Sequence, residues 1–250
     1  MTYDAWKTTD PNPFTDELEP TAAEQADDAA AEAEAALEPE PEPAAPRRPL
    51  YLSGAIRHEL VGLERLGFMR TPNMGNKSSL GMPWGADNGC FSSKGVRAFN
   101  LESYLGWLRA QDATTCLFAT APDRVGDAAT TLELSAPVLP MLRALGYPAA
   151  LVAQDGLEEL TVPWDSFDVL FIGGSTEWKL GPAAAALVRE AKRRGVWVHM
   201  GRVNSGRRYA YAAELGCDST DGTFLAFGPT VNLPRLCAWV GVDVPMREAA

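Results

Sequence analysis

The chain of 250 residues is 46% hydrophobic, enough to bury a full core, and its net charge of −11 is concentrated at one end. Residues 1–50 carry 13 of the 33 acids and 3 of the 22 bases, which leaves 20 acids and 19 bases for residues 51–250. The acidic total therefore describes one segment and does not exclude a nucleic-acid partner for the rest. No apolar run approaches the ~18 residues of a membrane span, and Asp4 with the lack of an early apolar run opposes a secretory signal. A soluble, intracellular, cytoplasmic protein with no membrane contact is expected.

Residues 1–48, centred on TAAEQADDAAAEAEAALEPEPEPAAP, have almost no large apolar side chain to offset the entropy of ordering, and they predict a disordered acidic tail. Trp6 and Phe14 are exceptions, read either as a short docking motif or as part of a solvated arm. The folded domain is expected over 49–250. Cys90, Cys116, Cys217 and Cys237 are widely spaced, with no CxxC pair, so they give a zinc site no support and read as isolated buried thiols.

From residue 50 onward short apolar runs alternate with helical patterns. Strands are predicted at 51–53, 82–86, 115–120, 149–153, 168–172, 196–200 and 217–221, with 224–227 as a candidate eighth. Helices are predicted at 57–66, 101–110, 130–145, 182–194, 207–215 and 233–240, the fifth closed by Gly216 at the position of a helix C-cap. Strand, loop and helix recurring about eight times in ~200 residues favour an α/β fold, a compact (β/α)₈ TIM-type barrel, over an open doubly wound sheet.

Polar clusters follow these strands nearly every time. Asp87, Asp123, Gln154, Gly173, Gly174, Met200, Gly201 and Asp221 each stand at or just after a strand end, and a barrel gathers such positions around one mouth. Each has an ordinary explanation when taken alone: an Asp before Asn-Gly forms a turn, an Asp after Pro caps a helix, and a Gly pair lets the chain bend. Three carboxylates and an amide converging on one mouth suit glycosyl transfer, in which one carboxylate attacks while another moves a proton.

ADNGCF at 86–91, APD at 121–123, AQDG at 153–156, IGG at 172–174, HMG at 199–201 and GCDSTDG at 216–222 follow the order and spacing of the tRNA-guanine transglycosylase superfamily. Within it the chain, over 51–240, resembles the small phage and bacterial 7-deazaguanine DNA transglycosylases. The resemblance implies an enzyme that replaces guanine in DNA with a 7-deazaguanine such as preQ0, without a cofactor. It places Asp221 as the nucleophile that holds the sugar as an ester, and Asp87 as the general acid/base. It also implies that Phe91 stacks on the base, Met200 closes its other face, Asp123 accepts from the guanine N1 and amino edge, and Gln154 with the Gly173/Gly174 backbone and Gly201 completes the base site.

The tRNA enzymes carry a Cys/His zinc site in a C-terminal extension, and this sequence lacks that ligand spacing, which tilts the expected substrate toward DNA. An RNA enzyme, a nucleoside glycosidase and a silent nucleic-acid-binding module are the alternatives. Phosphate contacts are expected from Lys94, Arg97, Lys179, Arg202, Arg207 and Arg208, although Arg207 and Arg208 also suit a solvated helix start.

Overall fold

The computed structural model describes residues 48–74, 78–90 and 99–243. The expectation of a disordered tail over 1–48, apart from its last residue, and the roles given to Phe91, Lys94 and Arg97 lie outside the described residues.

Eight parallel strands close into a barrel in chain order: β1 (Leu50–Ser53), β2 (Leu66–Arg70), β3 (Trp84–Ala86), β4 (Cys116–Thr120), β5 (Ala149–Ala153), β6 (Val169–Ile172), β7 (Trp197–Met200) and β8 (Ser219–Gly222). Closure pairs β8 with β1, setting Asp221 against Leu52. Among the described residues the α-helices are α1 (Leu101–Arg109), α2 (Ala128–Ser135), α3 (Leu139–Ala144), α4 (Thr176–Lys179), α5 (Pro182–Arg193), α6 (Gly206–Glu214) and α7 (Pro229–Val240).

The (β/α)₈ expectation holds, with corrections to its parts. The second strand is β2, in a stretch whose first residue had been read as the end of a helix over 57–66; in that helix's place stands only a 3₁₀ turn, His58–Leu60. Gly62 breaks the helical spacing with φ near +84°, and the buried LGFMR run then pairs on both sides. Phe224–Phe227 is a 3₁₀ helix rather than an eighth strand. The helix expected over 130–145 is divided into α2 and α3 around Pro137, because a prolyl nitrogen has no hydrogen to donate.

Strand alternation sorts the core into two layers. Tyr51, Phe68, Trp84, Ile172 and Met200 face outward under the helices, while Leu52, Met69, Phe118, Val152 and Phe171 fill the barrel. Gly85 makes room for this filling: a Cβ there would stand 2.7 Å from the Phe118 ring. Side-chain caps fix where the helices after the strands begin. Asp127 accepts from Thr130 N at 2.9 Å and starts α2, and Ser205 accepts from Arg208 N at 3.3 Å and starts α6.

Candidate active site

At the C-terminal end of the barrel the polar positions of six strand ends line one pocket of about 580 Å³, its open mouth included. Asp87, Asp123, Gln154, Gly173, Gly174, Gly201, Arg202 and Asp221 all line it, together with Asn88, Thr120, Val125, Val152 and Phe171. Seven of the residues expected at a catalytic or base-binding site thus share one cavity, with Arg202 from the expected phosphate set.

The three acids are held differently. Asp87 Oδ1 accepts the Gly89 N–H at 2.6 Å, closing a turn. Burial pushes its pKa up to about 7; the Gly89 N–H opposes the rise, and the negative charges of Asp123 and Asp221 add to it. Asp123 is fixed from both sides: Asn88 Nδ2 donates to Oδ1 at 2.9 Å and Gln154 Nε2 to Oδ2 at 2.7 Å. Burial also raises the pKa of Asp123, against those two amide bonds and the Arg202 charge. Because each oxygen already accepts an amide N–H, the surroundings solvate the carboxylate form.

Gln154 is an organising residue in its own right. Its Oε1 accepts from Gly126 N and Gly174 N, both at 3.0 Å, so one amide ties the loops after β4 and β6 to Asp123. Asn88 does the same on the other side, donating to Ala121 O and receiving support from Thr120 Oγ1 at its backbone N–H. Arg202, at φ near +57°, donates to Gly174 O. A side chain is rare in that left-handed region, and here the residue that adopts it lines the pocket.

Asp221 Oδ1 accepts from His199 Nε2 at 2.9 Å. His199 is fully buried between the Phe118 and Phe171 rings, whose centroids lie 4.8 and 4.5 Å from its own. Burial lowers its pKa, the Asp221 hydrogen bond and charge oppose this, and Lys179 adds to the lowering. Gly201 keeps the approach open, since a Cβ there would meet Phe171 at 2.7 Å and Asp221 Oδ1 at 3.3 Å.

Some expected residues lie elsewhere. Met200 faces outward: it pairs with Ile172 and Thr220 and packs in the layer beneath the helices, so it cannot close over a base in this pocket. The inward register carries Val152, Phe171, His199 and Ser219, and among the described residues Phe171 is the aromatic side chain that lines the cavity. Lys179 is 1% exposed and donates through Nζ to Gly201 O at 2.7 Å, which removes it from any phosphate-contacting surface. Arg208 is 9% exposed, on the covered side of α6, with a guanidinium nitrogen that has no hydrogen-bond partner among the described residues. Arg207 is exposed at the start of the same helix.

His199, Asn88, Thr120 and Phe171 were missed in the sequence. The signal for two of them was present: once Gly201 and Gly173 are placed at the mouth, the residues two earlier on the same strands must face inward as well. Among the described residues no group of three or more His, Cys, Asp or Glu is placed to hold a metal ion, and no helix is long and apolar enough to cross a membrane.

No family model matches the chain, and no curated protein matches it. Among solved structures, Klebsiella pneumoniae BlrP1 in a calcium/cy-diGMP complex is similar at 16% identity and a TM-score of 0.35, covering 57% of this chain and 38% of that one. The Amycolatopsis orientalis BexX/CysO complex is similar at 19% identity and a TM-score of 0.42, covering 85% of this chain and 100% of that one. This chain spans well under half the length of the BlrP1 chain. At these values neither likeness bears on activity.

Proposed function

We propose that the protein is a glycosyltransferase that exchanges guanine in DNA for a 7-deazaguanine through a covalent sugar ester on Asp221. The observation that carries this reading is the unequal treatment of two acids in one pocket. Asp87 is buried with its pKa raised to about 7, while Asp221 is held through one oxygen by a hydrogen bond with His199. That inequality is what a nucleophile and a proton donor need when they share a substrate.

In the first half of the reaction an Asp221 oxygen attacks C1′ of the nucleotide and the glycosidic C–N bond breaks. The bond's electron pair stays on the base nitrogen, which takes the proton of Asp87, so neutral guanine departs and Asp87 is left ionised. In the second half Asp87 removes the ring N–H proton of the incoming base. That nitrogen attacks C1′, and the Asp221 carboxylate is released. No proton is consumed over the cycle, and each acid ends in the state in which it began.

Asp123 supplies base recognition. Its two oxygens can accept from a ring N–H and an adjacent amino group, a paired pattern that guanine and 7-deazaguanines present and adenine does not. Phe171 and Val152 give the pocket an apolar wall for the base. The choice of DNA rests on the resemblance described above. To reach C1′ in a duplex the nucleotide must leave the stack, at a cost of a few kcal/mol, in part offset by contacts to the pocket wall.

Mass spectrometry of nucleosides from DNA digested after incubation with the protein and candidate deazaguanines tests polymer, reaction and base together. Incorporation into DNA with stoichiometric guanine release is expected. Turnover of free deoxyguanosine with no incorporation would identify a nucleoside glycosidase instead, and incorporation into tRNA but not DNA would identify an RNA enzyme.

A further inference from the structure

We propose that His199 is the positioning residue of the nucleophile, orienting the Asp221 carboxylate through a hydrogen-bond chain that begins at the barrel wall and runs in one direction. The inference rests on Asp221 being the nucleophile of the reaction above. Its direction follows from donor chemistry. The Trp197 indole N–H can only donate, and it reaches Ser219 Oγ at 3.0 Å. Ser219 Oγ lies 2.8 Å from His199 Nδ1, and His199 Nε2 lies 2.9 Å from Asp221 Oδ1. A carboxylate can only accept, so Nε2 carries the hydrogen; a neutral ring then leaves Nδ1 as an acceptor for the Ser219 hydroxyl.

A neutral ring suits this task. Phe118 and Phe171 pack beside His199 from β4 and β6, Lys179 acts on it from α4, and Asp221 and Ser219 face it from β8. The desolvation and the Lys179 charge both disfavour an imidazolium. A neutral N–H donor fixes the orientation of the carboxylate without neutralising it, whereas a cation in the same place would pair with the charge that has to attack. Oδ2 receives no hydrogen bond from the described residues, which leaves it as the attacking atom while Oδ1 stays anchored. After attack Oδ1 is the carbonyl oxygen of the ester and keeps the same donor, so orientation is preserved for both halves of the cycle.

His199 does not line the pocket, so its loss should lower kcat and leave KM within about twofold. With His199→Phe, single-turnover formation of the Asp221 adduct should slow roughly 10- to 100-fold, the range for a hydrogen bond to a charged group. His199→Gln, whose Nε2 reaches the same donor position, should recover most of the rate, and His199→Asn, whose shorter amide does not, should stay slow. Long-range ¹H–¹⁵N spectra provide a readout independent of activity, because the chain has only two histidines. His199 in the wild-type protein is expected as the neutral Nε2–H tautomer near neutral pH.

An Nδ1–H tautomer, or an adduct rate in His199→Phe equal to wild type, overturns the assignment while leaving the nucleophile reading intact. Wild-type protein that forms no adduct on Asp221 overturns both. If His199→Phe fails to fold, Gln against Asn decides: equal rates in those two refute a positioning role.

Discussion

Gln154 Nε2 donates to Asp123 Oδ2 at 2.7 Å while its Oε1 accepts the N–H groups of Gly126 and Gly174. The acid proposed to read the base is therefore aimed by an amide that is itself held by two loops. Asp127, one turn further along, does a different job: it caps α2 through Thr130 N and Thr130 Oγ1 and does not line the pocket. Asp123→Ala is expected to weaken use of guanine and 7-deazaguanines together, with a loss of discrimination against adenine of about 1–3 kcal/mol. Asp127→Ala should cost about 1 kcal/mol of stability and leave base choice unchanged. Base-competition assays beside urea denaturation separate the two, and the opposite pattern would place the recognition acid one turn later.

Asp87 gives the reaction and the fold a linked pH dependence. With a pKa raised from an ordinary 3.8 to about 7, Asp87 holds in the folded state a proton that the unfolded chain has already released over that interval. Stability therefore falls as pH rises through that window, and levels off above it. Asp87→Asn lacks the ionisable group, so it should gain stability relative to wild type as pH increases from about 5 to about 8. Guanine release by the wild-type protein in a single turnover should decline above about pH 7, as the proton donor is lost. Parallel denaturation and rapid-quench series measure both; a flat stability difference would mean that Asp87 titrates as an ordinary carboxylate.

Asp221→Asn keeps the shape of the side chain and removes the nucleophile. Trapping of a protein–DNA adduct and base exchange should both disappear, while DNA affinity changes by less than about threefold, or roughly 0.7 kcal/mol. Denaturing gel electrophoresis after incubation with DNA reports the adduct, and exchange at the wild-type rate by this variant would assign the attack to another residue.

Lys179 and Arg207 were expected to act alike on phosphates, and the fold separates them. Lys179 is buried with Nζ on Gly201 O, so Lys179→Ala removes packing and leaves a carbonyl without its donor, for an expected loss of about 2–4 kcal/mol of stability. Arg207 is exposed, and Arg207→Ala should leave stability within about 0.5 kcal/mol while reducing the slope of log affinity for DNA against log salt by about 1. Titrations at several salt concentrations test this, and an unchanged slope in Arg207→Ala would remove it from the DNA-contacting surface.

What the sequence determined by itself was the architecture and most of the mouth. Alternating strand and helix patterns require a layered α/β fold, and the barrel places the residues after its strands at one end whatever the details of packing. Asp87, Asp123, Gln154, Gly173, Gly174, Gly201 and Asp221 were legible for that reason. β2 was not, because LGFMR follows a helix-like run and carries no alternation: it is buried on both faces, and burial on both faces erases the period that marks a strand.

Only tertiary structure decided which neighbour on a strand faces the cavity and which cation meets solvent. Met200 and His199 are adjacent in sequence and both suit a base site by residue type; the barrel register sends His199 inward beside Phe171 and Asp221 and Met200 outward beside Ile172. Lys179 looks like a surface cation from its one-turn helix, yet closure of the barrel brings the Gly201 carbonyl within 2.7 Å of its amine. Facing direction has a period of two along a strand, so an error of one residue reverses it, and a lysine's partner depends on a carbonyl 22 residues away that no local pattern encodes.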